Sequence, residues 1–186
     1  MDQVSFTEMK NGTREEYEFL SPIFHEHHRQ SLAGEVLAML KKLQGPTLGY
    51  RIDRLQHSLQ SATRAMRDGA DDESIVCALL HDIGDSIAPE NHSQLAAAIL
   101  RPYVSAENHW IILHHGLFQG YYYFHHLGMD RNARDQFKDH PYYQSCLDFC
   151  ETRDQNCFDP DYDTLPLETF EPLVRKLFAK QVEECF

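Results

Sequence analysis

The chain has 186 residues, of which 42% are hydrophobic and 25% charged, the composition of an ordinary globular domain. Its 17 basic and 29 acidic residues leave a net charge of −12, which argues against non-specific binding to nucleic acid or to an anionic membrane surface. No apolar run reaches the length of a membrane span and the polar first residues carry no secretory core, so we expect one cytoplasmic domain, with 1–30 as an N-terminal extension and 31–186 as a helical core.

The sequence reads as helix after helix. In "SLAGEVLAMLKKL" (31–43), Leu32, Val36, Leu37, Leu40 and Leu43 form a helical stripe, and "GPTLGY" (45–50) breaks it. Next, Leu55, Leu59, Ala62 and Met66 recur at helical spacing, and Gly69 is placed to close that helix. "DDESIVCALLHDIGD" (71–85) opens on acidic residues suited to a helix N-terminus and ends at Gly84. "NHSQLAAAILRPYV" (91–104) and "SAENHWIILHHG" (105–116) follow, the latter with Ser105 as its cap. "HPYYQSCLDFCETRDQ" (140–155) and "PLETFEPLVRKLFAKQVEE" (166–184) complete an all-α chain with no alternating strand and no internal repeat. The five cysteines show no CxxC spacing and read as reduced, mostly buried thiols.

Histidine is over-represented. There are twelve, where average usage predicts about four, and they are too dispersed for a tag. His57, the doublet His81-Asp82, His92, His115 and Asp154 each fall on or near the end of a different predicted helix. Helices of a bundle can project such residues to a shared metal site. Adjacent His81 and Asp82 lie about 100° apart around a helix axis, so both reach one site only if the helix meets it end-on. The doublet at 114/115 leaves a choice of ligand. His25, His27 and His28 read as solvent-facing, in a segment that could fold over the site as a lid.

The order His…His-Asp…Asp resembles the HD-domain superfamily over roughly residues 50–178. The segments "LQHSLQSA" (55–62), "LLHDIGD" (79–85), "NHSQLAAAIL" (91–100), "LHHGLFQGYYY" (113–123) and "ETRDQNCFDPD" (151–161) look closest to the HD-domain diiron oxygenases that cleave the carbon–phosphorus bond of 1-hydroxyphosphonates. That resemblance implies an HD-domain helical bundle around a dinuclear, mixed-valent Fe(II)/Fe(III) site. His57, His81 and Asp154 would hold one iron, His92 and His115 the other, with Asp82 bridging. It also implies an anionic or zwitterionic phosphonate and dioxygen as the partners.

The expected pocket departs from the family. Tyr50 stands where aminophosphonate enzymes carry a gating Glu, Gln119 where they carry Lys, and Asp85 where they carry His. The aromatic run "GYYYFHH" (120–126), with Trp110 and Phe118, would suit a quaternary ammonium held by ring faces, at about 0.5–2 kcal/mol each. This resembles the variant that converts (1-hydroxy-2-(trimethylamino)ethyl)phosphonate to glycine betaine and phosphate; half-buried packing is the other reading of the same rings. Tyr50, Gln119, Tyr121, Tyr123, His126 and Arg153 are the expected substrate-binding residues, with His114 a further donor candidate and Gln56 and Ser58 supporting His57. The rival function is a metal-dependent HD phosphohydrolase acting on a nucleotide or other phosphoester. Its usual Lys after the doublet is missing from "HDIGD".

Overall fold

The computed structural model describes residues 1–180, and among them there are seven α-helices and no strand. They are α1 (Arg14–Lys41), α2 (Arg54–Arg67), α3 (Asp72–Leu80), α4 (His92–Leu100), α5 (Ala106–Gln119), α6 (Tyr143–Arg153) and α7 (Leu167–Phe178). Residues 181–184, which the sequence assigned to the last helix, and Cys185 lie outside the described residues.

Capping chemistry sets most of the boundaries. Asp53, Asp71 and Ser105 each accept a hydrogen bond from the backbone N–H three residues on, at 2.8, 2.8 and 3.2 Å, which starts α2, α3 and α5. Gly69, at φ +75°, closes α2, while Ala70 N–H donates to the Ala65 carbonyl at 3.0 Å. The largest departure from the expected elements is α1. It begins at Arg14, not at 31, because Thr13 and Glu16 form a reciprocal capping box and Glu16 also takes the Ser5 N–H. The extension is therefore largely the exposed first half of α1, and His25, His27 and His28 are exposed on it.

α2 is the central helix. His57 to Thr63 is buried without a break, so this helix has almost no solvent face. It packs on α3 and α6, α4 packs on α5, and α7 closes the bundle against α1 and α3. Leu40, Leu79, Leu80, Leu100, Ile112 and Phe170 fill the centre with no exposure. Truncating any one of these leucines to alanine would cost about 2–5 kcal/mol. Cys77, Cys146, Cys150 and Cys157 are free and buried, as expected. No helix among the described residues is long and apolar enough to cross a membrane.

Candidate metal centre

Five helices deliver the six side chains. His57 sits one turn into α2, His81 is the residue that ends α3, and Asp82 follows it in a turn. α3 stops at Leu80, so the adjacent His and Asp escape the helical constraint by lying at its end. His92 is the first residue of α4, His115 lies on the buried face of α5, and Asp154 ends α6. Gly84 admits the close approach of α4: a Cβ there would stand 2.7 Å from the His92 Cα and 2.8 Å from its carbonyl oxygen.

Each imidazole has its Nδ1 committed to a backbone carbonyl. The partners are Cys157 at 3.0 Å for His57, Ala78 at 2.7 Å for His81, Pro89 at 3.0 Å for His92 and Ile112 at 2.7 Å for His115. That fixes the proton on Nδ1 and leaves Nε2 as the inward lone pair, the usual setting of a metal-bound histidine. The Nε2 atoms of His57 and His81 then face each other at 3.1 Å. Two lone pairs at that range need a cation between them. Two metal–nitrogen bonds of about 2.1 Å meeting near a right angle span about 3 Å.

Asp82 divides its oxygens between two halves of the cluster. Oδ2 lies 3.3 Å from the Nε2 of both His57 and His81, while Oδ1 lies 3.2 Å from His115 Nε2 and 3.4 Å from His92 Nε2. Asp154 Oδ1 is 3.3 Å from His57 and 3.7 Å from His81. The possible ligand groups are His57/His81/Asp154, His81/Asp82/His115 and Asp82/Asp85/His92, each with its atoms within 4.8 Å. The donor set therefore fits a metal ion, and Asp82 is shared by two of the three groups.

Electrostatics agree with ionised carboxylates. Burial works against the charge of Asp82, but His81 and Arg54 hold its carboxyl well below the usual range. Burial likewise opposes Asp154, whose carboxyl the neighbouring His57 and His81 rings hold below the usual range. Burial lowers His57 less than Asp154 and Asp82 raise it, so it lies above its ordinary value.

The expected pocket residues divide. Gln119 donates to Asp154 Oδ1 at 3.0 Å, so it orients a ligand. Tyr50 is 54% exposed and stacks on Phe158, which in turn stacks on His57 with ring centroids 4.4 Å apart. Tyr123 is 44% exposed, and its hydroxyl is raised by burial and then by Tyr50, Asp154 and Asp82. His126 packs against His125 at the surface. Tyr121 lies under two arginine guanidiniums.

Other expectations are corrected. Arg153 has its Nε 3.8 Å from an Asp68 carboxylate oxygen, so the structure shows it with an acid of its own. Trp110 and Phe118 belong to the core and not to the pocket, at 9% and 0% exposure. His114 stacks on Trp110 and hydrogen-bonds its carbonyl, so the inward member of the 114/115 doublet is His115. Gln56 is exposed, whereas Ser58 is buried beside His57.

Two further groups stand at the cluster: Arg54, which the sequence reading passed over, and Asp85, which it named only as a departure from the family. Arg54 bonds Asp82 through one nitrogen and Asp85 through Nε at 2.6 Å. Asp85 also stands 3.3 Å from His92 Nδ1. The signal was present: Arg54 precedes His57 by three residues and Asp85 follows Asp82 by three, spacings that keep each pair on one face of a helix or turn.

No curated protein matches the chain. The family model described as HD domain matches residues 54–146, half of its length, and takes in five of the six cluster residues while stopping short of Asp154. With this match over the stretch that carries the buried His/Asp cluster, the chain belongs to the HD-domain family of metal-dependent, hydrolase-like enzymes.

Proposed function

We propose that the protein is a dinuclear-iron oxygenase that cleaves the carbon–phosphorus bond of a small 1-hydroxyphosphonate, with a trimethylammonium phosphonate giving glycine betaine as the first substrate to try. The observation that carries this reading is the inward set of four imidazoles, every Nδ1 anchored on a carbonyl, around an aspartate whose two oxygens serve different halves. A nitrogen-rich set suits a redox-active metal, whereas Mg or Mn is served by carboxylates, carbonyls and water. Iron bound there would supply redox chemistry and a positive centre for the hydroxyl and phosphonate oxygens.

The protein's own residues position and protect. On this reading His57, His81 and Asp154 would hold one ion, and His92 and His115, each beside Asp82 Oδ1, would hold the other, the half with fewer protein donors and so with room for substrate. Gln119 fixes the Asp154 carboxylate, and Arg54 fixes Asp82. The Tyr50–Phe158 stack covers His57 and keeps water from that side. In the overall reaction the substrate gives up four electrons and dioxygen accepts them; the carbon leaves as a carboxylate and the phosphorus as phosphate.

Hydrolysis of a phosphoester is the second reading. Asp85 favours it, since the Asp82/Asp85/His92 group is oxygen-rich and suits a harder ion. Oxygen dependence separates the two. Purified protein loaded with ferrous iron should consume one dioxygen per phosphate released from the hydroxyphosphonate, and release none under anaerobic conditions. Phosphate release from a phosphoester without oxygen, with manganese in place of iron, would overturn the oxygenase reading.

A further inference from the structure

A second concentration of charge lies on the segment that leaves α5. Arg131 and Arg134 both lay their guanidiniums over the ring of Tyr121, at 4.1 and 3.7 Å from its centroid. Among the described residues neither makes an ion pair, and the Nε of each is buried without a hydrogen-bond partner. The acids nearby in sequence or space are committed elsewhere. Asp130 accepts the Asn132 N–H at 2.8 Å, Asp135 pairs with Lys138 at 2.8 Å and takes the Tyr143 hydroxyl at 3.1 Å, and Glu151 takes the Tyr122 hydroxyl. His125 and His126 pack at a tilt in the same loop with centroids 3.9 Å apart.

In a chain of net charge −12, two guanidiniums set over one ring stand out when neither makes an ion pair among the described residues, although Asp135 lies close enough to feel Arg134. Like charges brought together repel, and buried donors left unpaired are costly. An anion relieves both. A guanidinium lying on a ring keeps its N–H edge free and its fork oriented, which matches two oxygens of a tetrahedral dianion.

We propose that Arg131 and Arg134, stacked on Tyr121, form a binding site for a phosphonate or phosphate dianion. The site stands on this geometry alone; only the claim that the dianion is the substrate's own end rests on the oxygenase reading above. Arg153, expected from the sequence to hold that group, is turned toward Asp68, so the role passes to the loop arginines.

The test is calorimetric titration of inorganic phosphate into full-length, metal-free protein, where chelation by the His/Asp cluster cannot contribute. The wild type should bind one phosphate per chain. Arg131→Gln and Arg134→Gln should each weaken binding about tenfold or more. Arg134→Lys should recover only part of the loss, since an ammonium keeps the charge without the fork, and it serves as the conservative variant should Gln disturb folding. Tyr121→Phe should bind as the wild type does. Absence of phosphate binding to the wild type, or equal binding by folded Gln variants, overturns the proposal. In the metal-loaded enzyme, phosphate competing with substrate and a raised KM in Arg134→Gln would identify the dianion as the substrate's own. Non-competitive inhibition by phosphate, lost in Arg134→Gln, would identify it as free phosphate. Phosphate binding that persists while oxygen dependence fails would leave this site standing and remove the oxygenase reading.

Discussion

Asp82 is the residue on which both halves of the cluster meet, and its aim depends on Arg54. A carboxylate free to rotate would not keep Oδ1 toward His92 and His115 and Oδ2 toward His57 and His81. The guanidinium takes Oδ2 and braces itself on Asp85, so the pair is oriented as well as neutralised. Replacing such a supporting partner typically costs 10–100-fold in metal affinity. Arg54→Gln should therefore bind metal at least about tenfold more weakly at the shared position, read as the metal-to-protein ratio on titration with ferrous iron. Arg54→Lys should not restore the wild-type value, because one ammonium cannot fork to two carboxylates. Wild-type metal affinity in both variants would mean that Arg54 only balances charge. The six cluster residues could be read from the sequence because they are metal-ligand types whose order, His…His-Asp…Asp on successive helices, forms a pattern. Arg54 carried a signal of spacing too, but one easily passed over, since charged residues at helical spacing usually mark a solvated face, and Asp85 stood out only as a departure from the family.

At the scale of the elements, a hydrogen-bonded acid ties the two helices that present His81 and His115. Glu73, in the first turn of α3, accepts from the Ser105 N–H at 2.6 Å and from the Asn108 amide at 2.9 Å, both at the start of α5. Burial pushes its carboxyl up, but these bonds and Lys180 outweigh it and hold the pKa below the ordinary value. A depressed folded-state pKa contributes stability above the unfolded value, lost as pH falls through the folded one. Glu73→Gln should therefore lower Tm at neutral pH, and the difference from wild type should close below the ordinary carboxylate range. A gap that stays constant across the acid range would show that packing and not charge ties α3 to α5. These helix starts were legible, because Asp, Ser and a following acidic turn are local signals. The start of α1 was not, since the Ser5–Glu16 contact joins residues outside the apolar stripe. Nor was the run of short 3-10 turns between Gly120 and Phe137, which has no periodicity and places Tyr121 beneath the arginines.

Over the whole molecule, the cluster is where α2, α3, α4, α5 and α6 converge, so it is also a mechanical joint. Without metal, His57, His81, Asp82, His115 and Asp154 form a buried set of ionisable groups, all but fully removed from solvent. Such a set pays desolvation that mutual pairing only partly returns. Ions held by residues from five helices would bind the native state and not the unfolded chain. At a free metal concentration about a thousand times Kd, that linkage adds about 4 kcal/mol. For a chain of this length each kcal/mol moves Tm by about 2–4 °C, so stripping the metal with a chelator should lower Tm on the order of 10 °C. His115→Ala, which removes one donor from the shared cluster, should show a smaller chelator effect than the wild type. The comparison is a thermal scan of loaded and chelated protein with metal content measured on the same samples. An unchanged Tm in protein shown to have lost its metal would mean that the five helices are held by apolar packing alone and that the cluster is not their joint.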